Sequence, residues 1–566
     1  MRRKMPRYKP PQRNGMLIPV VFEEQIQPGT FEFALTHLVD VELDLSALDA
    51  KFRNDATGAP AYDPRAMLKI VLLAYSRGLI TSRKIEQACE HNVLFMAVSG
   101  DARPCYTHIA KFVRELGPQI GALFTQVLMS CDRLGLIGRS MFAIDGVKLP
   151  ANASKEKSGT HAELAHRADR LERAAAKIIA LHQAQDEHGQ ALDSQRQARI
   201  DELQREARKT REFIAKQPKR LNRKGAELKT NLTDPDSAKM ATGKGVIQGY
   251  AAQAAVDSAH QLIVAADIIG SGSEQAMLLP MIDQTQGWRD DNTLITADAG
   301  YYSDENIKAL HEKNIPALIA DNAMRQRDER FAEQARHKQG EVLYDKRASI
   351  APIKLYRPEH FEFHGDLSAT CPAGKTLISN GSVYTHAGGA KVQQFKARDE
   401  DCQGCELRHR CLKNPASGKG RAVSLFGRAL VDATDPSERM RRAIDSPHGR
   451  RLYSRRIATV EPVFANIRHH KRMSRFTLRG KAKVSTQWQL YCLVHHIAKI
   501  ARCGYRAGWL ARDRLRIPIS RIDGAQAFRV QSRRFNETTD AVQIRPRIRR
   551  SSPLAATGEG VKAQSR

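Results

Sequence analysis

Three carboxylates stand out by their settings. A short apolar run, MFAID, ends on Asp145 and turns through Gly146, and a second, TLITAD, ends on Asp298 with Gly300 and two tyrosines behind it. Glu461 lies in a helical stretch, RRLYSRRIATVEPVFANIRHHKRMSRFTLRG. Phosphodiester cleavage needs an activated water or hydroxyl and a stabilised leaving oxygen, and two hard cations roughly 4 Å apart supply both when carboxylates bridge and anchor them. Carboxylates are the ligands that Mg²⁺ or Mn²⁺ prefer. Two acids on neighbouring strand ends and a third on a helix packed against the sheet would converge in one cleft. Taken singly, either aspartate also reads as a turn-capping residue.

The elements that must position these groups follow from periodicity. A basic arm, 1–15, precedes a helical segment over 16–135, where Asp63-Pro64 followed by RAMLKIVLLAYSRGL predicts a capped helix and Thr81 to Met96 carries apolar residues at helical spacing. Short helices joined through Gly78 and Gly100 suit a helix-turn-helix-like DNA-binding module, a pattern that compact bundles share. An α/β core spans 136–320, with the β-like runs VIQGYAAQAAVD, QLIVAADII and TLITAD. A helical hairpin interrupts it at 156–222, with Leu164, Leu171, Ile178 and Leu181 at heptad-like steps, a break at Asp186 to Gly189, and a second helix through Ile200, Leu203 and Ala207. It reads equally as a solvated spacer or a DNA-contacting arm. A cysteine-bearing insertion covers 321–420, the second part of the core, with the Glu461 helix, covers 421–505, and a basic tail fills 506–566.

The 566 residues carry a formal net charge of +29, an imbalance that costs self-repulsion unless a polyanion is the working partner. Nucleic acid is that expected partner. No apolar run reaches spanning length, and the basic N-terminus is not followed by the apolar stretch of a secretory signal, so a cytoplasmic, membrane-free protein is expected. Nine cysteines then read as thiols or metal ligands. Cys402, Cys405 and Cys411 form C-x2-C-x5-C, with His409 between the last two and Cys371 upstream in CPAGK, a set that suits one structural Zn²⁺ or a reduced cluster packed in a small subdomain. Cys89, Cys105, Cys131, Cys492 and Cys503 are scattered.

Read together, AIDGVKLPANAS around Asp145, DPDS followed by GYAAQAAVD, TADAGYYSDEN around Asp298, and YSRRIATVEPVFANIRHHK around Glu461 resemble, in order, the transposases of insertion sequences that use an Asp-Asp-Glu triad. The resemblance runs from about Tyr62 to Lys499. It implies a ribonuclease-H-like catalytic core interrupted by insertions, a helical N-terminal DNA-binding region, two Mg²⁺ or Mn²⁺ ions on Asp145, Asp298 and Glu461, and a homodimer acting on double-stranded DNA at terminal inverted repeats. In the related Tyr-Arg-Glu-Lys signature, Tyr453, Arg456 and Arg468 are the phosphate-positioning residues. This chain has Arg468 where many relatives have Lys, and one residue more between Arg456 and Glu461; the retained charge preserves phosphate binding. Glu461 and Arg468, seven apart, share a helical face. A non-mobile nuclease, a decayed DNA-binding regulator and a basic structural or RNA-binding protein remain the rival readings.

Overall fold

The computed structural model describes residues 19–52, 60–185, 193–222, 225–243, 245–328, 355–364, 367–385, 391–426 and 435–504; the basic arm and the basic tail lie outside them. The N-terminal region is helical: α1 (Phe31–His37), α2 (Ser46–Asp49), α3 (Pro64–Ser76), α4 (Ser82–His91), α5 (Val93–Ser99), α6 (Tyr106–Glu115) and α7 (Gly117–Arg133). Asp63 caps α3 by accepting from the Arg65 amide at 2.7 Å, with Pro64 in the first turn, as the sequence predicts. The stretch Thr81 to Met96 is two helices rather than one, because the Asn92 side chain accepts from the Leu94 amide and restarts the chain as α5.

A mixed sheet carries the acids. Its strands are β1 (Met141–Pro150), β4 (Ala238–Thr242), β5 (Gly245–Asp257), β6 (Ile263–Ile269), β7 (Leu294–Ala297) and β8 (Ala317–Ile319); β2 (Ser158–Gly159) and β3 (Thr230–Asn231) pair separately. β5 lies antiparallel to β1, β4 and β6, while β7 runs parallel to β1 and β8 parallel to β7. Such mixed α/β topology is compatible with the ribonuclease-H-like core that the resemblance implies. β5 is lined by fully buried Ala251, Ala252, Ala254 and Ala255, whose small side chains let helices approach closely. One hydrophobic core runs from Ala34 in α1 through the sheet to Ile500, joining the N-terminal helices to the strands.

Between β1 and β5 stand α8 (His161–Gln185) and α9 (Ser194–Lys216), which pack through Leu171, Ala175, Ile178, Ile200 and Leu203 and are tied by Arg211 to Asp169 and Glu172 at 2.7 and 2.8 Å. Leu181, expected on the seam, is half exposed near the end of α8, where apolar contact has run out. Beyond the core, β9 (Glu362–Phe363), β10 (Ser368–Thr370), β11 (Thr376–Ile378), β12 (Val383–Thr385), β13 (Lys391–Ala397) and β14 (Ala422–Phe426) form a second sheet, with α12 (Asp399–Gln403) and α13 (Arg408–Cys411) beside it. The segment expected to open the second part of the core at 421 begins with a strand of this second sheet. AVSLF is held as strand by pairing with β13, and helix resumes with α14 (Pro436–Asp445), α15 (Pro447–Ala465) and α16 (Lys481–Lys499).

α16 packs across β6, α3 and α7 with its Trp488, Tyr491, Cys492 and Val494 side chains fully buried. Its start is fixed by the DPDS motif. Asp234 accepts from the Tyr250 hydroxyl and the Gly480 amide, and Asp236 accepts from the Lys481 amide at 2.8 Å, placing a carboxylate at the helix N-terminus. His496 Nε2 accepts from the Ile263 amide at 3.0 Å, and burial pushes its pKa down to about 3. His495 is likewise held well below its ordinary value by burial and by His496. An unfolded histidine takes up a proton below about pH 6.5, which these folded ones refuse, so protons are gained on unfolding and stability falls as pH drops through that value. The loss should steepen as pH falls below about 6.5. Chemical denaturation at pH 7, 6 and 5 checks this: a stability unchanged between pH 6.5 and 5 contradicts it.

Candidate active site

Asp145 is not at the end of β1 but at its middle. On one side β1 stays paired with β5 from Phe142 to Pro150; on the other, β7 stops at Ala297 opposite Ile144. The same parallel register sets Asp298, the next residue after β7, beside Asp145. The two aspartates thus flank the notch where the shorter strand ends, and a backbone amide holds each: Gly146 N donates to Asp145 Oδ1 at 2.8 Å and Gly300 N to Asp298 Oδ1 at 2.9 Å.

A cation from α15 meets them. Arg456 Nη1 donates to Asp145 Oδ2 at 2.6 Å, with side-chain exposures of 10% and 15%, and its guanidinium lies 5.6 Å from the centre of the Tyr453 ring. Burial raises the Asp145 carboxyl above its ordinary value, Arg456 opposes that shift, and repulsion from Asp298 adds to it. A mutually repelling, partly desolvated pair of carboxylates is the environment that a divalent cation relieves.

The N-terminal end of α15 is pinned. Ser446 caps it by accepting from the Gly449 amide at 2.9 Å, and Arg450 and Arg327 both bind Asp445, with Arg327 also on Asp321 beyond β8. A Cβ on Gly449 would overlap the Ala443 carbonyl. Gly449→Ala should therefore cost about 1 to 3 kcal/mol and disturb Tyr453 and Arg456 with it; a urea midpoint equal to wild type contradicts this.

The remaining expected residues fall differently. Tyr453 is half-buried against the cluster of Leu318, Ala320 and Ile444. Glu461 is exposed, next to buried Val460 and Val463, and is not among the groups acting on Asp145. Arg468 is exposed within a π-type turn, Asn466–His470, which breaks the seven-residue register linking it to Glu461. Two residues that the sequence reading missed face the pair instead. Glu274 precedes α10 (Leu278–Gln284); its carboxyl is pushed up by burial, with Lys148 opposing and repulsion from Asp298 and Asp145 adding. Gln253 is fully buried in β5 and accepts from the Tyr301 hydroxyl. One signal was available for Gln253: it is the lone long polar side chain in the apolar run YAAQAAV. Glu274, in the loop SGSEQ, had none.

Lys157, Arg167, Lys209, Lys216, Arg475 and Arg479, with the acids Glu206 and Glu212, line two adjoining open clefts at the base of the α8–α9 hairpin. Glu206 lies within 3.6 Å of Lys157 and 3.8 Å of Arg167, leaving net positive charge.

Cys371, Cys402, Cys405 and Cys411 all line one small enclosed cavity. The Cys411 thiol is raised by burial, Arg421 opposes this, and charge on the other three adds to it. The Lys375 and Arg421 amides donate to Cys371 Sγ and Cys402 Sγ at 3.3 and 3.4 Å. His409 is exposed and bonds the Glu406 carbonyl. Among the described residues, no three His, Cys, Asp or Glu side chains are already closed on one metal position.

Three family models match the chain. A transposase domain model matches residues 20–115, a transposase DDE domain model matches 208–361, and a second transposase DDE domain model matches 370–501. Asp298 and Glu274 fall in the second match and Tyr453, Arg456 and Glu461 in the third, while Asp145 falls between matches. No curated protein matches the chain. With three transposase models in order along its length, the chain belongs to the DDE transposases of insertion sequences.

Proposed function

We propose that the chain binds the terminal inverted repeats of its element and catalyses metal-dependent cleavage and strand transfer on a ribonuclease-H-like core, working as a homodimer at the nucleoid in the cytoplasm. The observation that carries this reading is the side-by-side setting of Asp145 and Asp298 at the β1–β7 notch. Asp145, Asp298 and Glu461 would hold Mg²⁺ or Mn²⁺, which when bound supplies an activated nucleophile and a stabilised leaving oxygen. Glu461 would reach the pair through a movement of α15 when DNA enters. Arg456, paired with Asp145, would also bind a phosphate together with Tyr453 and Arg468, since a guanidinium forks onto phosphate as readily as onto carboxylate. The helices of 16–135 and the basic clefts would hold the duplex. Among the described residues, no helix is long and apolar enough to cross a membrane.

One observation favours a second reading, a DNA-binding regulator without cleavage: Glu461 stands exposed, with no ion pair to the site among the described residues. A strand-transfer assay decides. Supplied with a labelled duplex bearing the element's end, a target duplex and Mg²⁺, the transposase should join the end to the target. Cutting without joining makes it a nuclease; neither makes it a regulator.

The four cysteines would hold one structural Zn²⁺ as thiolates, fastening α12 and α13 to the second sheet. Elemental analysis should find about one zinc per chain, lost on Cys402→Ser. Metal-free protein with four free thiols and an unchanged melting curve contradicts this.

A further inference from the structure

The side chain of Glu274 lies over both glycines that follow the aspartates. Its Oε1 is 2.8 Å from where a Cβ on Gly146 would stand, and its Oε2 is 3.5 Å from the corresponding point on Gly300, itself 3.0 Å from Asp298 Oδ1. A Cβ on Gly146 would thus press on this carboxylate and, more closely still, on Gln253 Nε2, whereas at Gly300 the close contact is with Asp298 Oδ1 and Glu274 lies at ordinary contact distance. A second observation points into the same space. Gln253 is fully buried and sits opposite Gly146 in the β1–β5 register; its Oε1 is taken by the Tyr301 hydroxyl, which turns Nε2 toward the Gly146 point at 2.5 Å. Gln253 Nε2 and Glu274 Oε1 are both buried and closed on no other group; the amide acts on the Glu274 carboxyl as a hydrogen-bond donor without a full bond between them. A buried donor and acceptor held short of full pairing are costly unless a rearrangement or a bound group completes them.

We infer that Glu274 is a third carboxylate of the divalent-metal site, acting with Asp145 and Asp298, and that Gln253, its orientation fixed by Tyr301, is its positioning residue. The inference rests on the metal-dependent reading above and deepens it. A small inward rotation of Glu274 gives Gln253 Nε2 its acceptor through one oxygen and turns the other toward the aspartates. Three carboxylates would then face one position without Glu461, which is exposed on its helix.

The test is Mn²⁺ binding by the full chain without DNA, read by electron paramagnetic resonance of free Mn²⁺ and by the Mn²⁺-induced rise in melting temperature. Wild type, Glu274→Gln, Asp298→Asn and Glu461→Gln are compared, with melting curves in metal-free buffer to establish that each is folded. Glu274→Gln and Asp298→Asn should each weaken Mn²⁺ binding at least tenfold, Glu461→Gln should change it less than threefold, and Gln253→Met should weaken it by a smaller factor than Glu274→Gln. If Asp298→Asn loses Mn²⁺ while Glu274→Gln binds as wild type does, the inference falls and the aspartate reading stands. If wild type and all variants bind Mn²⁺ alike, or none binds it, both fall. Should Glu274→Gln be unfolded, Glu274→Asp takes its place, with binding weakened but measurable as the expected result and wild-type affinity as the overturning one.

Discussion

Asp145→Asn is expected to lower the rate of end cleavage by about a thousandfold or more while leaving DNA binding within about threefold. The substitution keeps size and hydrogen-bonding shape but removes the charge that a hard divalent cation requires, and loss of one preorganised electrostatic group at a transition state commonly costs 10² to 10³ in rate, about 3 to 4 kcal/mol. A carboxylate that would hold the metal directly stands at or above the upper end of that range. The same change leaves the Arg456 guanidinium nearly buried without its carboxylate. Breaking a buried pair from one side costs roughly 3 to 5 kcal/mol; here relief of the repulsion with Asp298 offsets part of it, so a stability loss of about 2 to 3 kcal/mol is expected. Single-turnover cleavage, gel-shift titration and urea unfolding measure the three quantities separately. Full stability with full activity would remove Asp145 from the site.

The second large effect is on binding. Joint replacement of Lys157, Lys209, Arg475 and Arg479 by Ala should weaken end binding by two to three orders of magnitude at about 0.1 M salt. Each phosphate contact contributes about 0.9 to the slope of log K against log salt, so loss of four should lower that slope by about 3 to 4. The four line the two joined clefts, and Arg475 and Arg479 are themselves anchored on Asn152, a few residues along from β1. Cleavage of the DNA that still binds at saturation should keep its rate, which separates a phosphate track from the chemistry. An unchanged salt slope would make the hairpin base a solvated face.

How far the sequence carried these arguments differs by element. Asp145 and Asp298 were legible because an apolar run ending on an acid is a local signal, and the runs over β5, β6 and β7 were legible by length and β-branched content. That β1 continues five residues past Asp145 was not legible, because VKLP is held as strand by pairing with β5, a partner about a hundred residues away. The division at Asn92 depends on one side chain capping one amide. Glu274 was invisible for a deeper reason: its importance lies only in the distance between two glycine turns, each tens of residues or more from it in the chain. For the same reason the helical face shared by Glu461 and Arg468 was overread, since a π-type turn between them follows from the packing of Ile467 and Met473 in the core and not from any spacing. DPDS, met first as a family motif, acts through Asp234 and Asp236 as the clamp that starts α16.

The central claim is that the Asp145–Asp298 notch cuts DNA with divalent metal. It is tested most directly by incubating a labelled duplex that carries the element's own end with wild type and with Asp298→Ala, in Mg²⁺, in Mn²⁺ and in chelator. The account predicts nicking at the element boundary by wild type in either metal, none in chelator, and none by the variant in any condition although it binds the end as tightly. Equal binding by both proteins with no cleavage in any metal would contradict it.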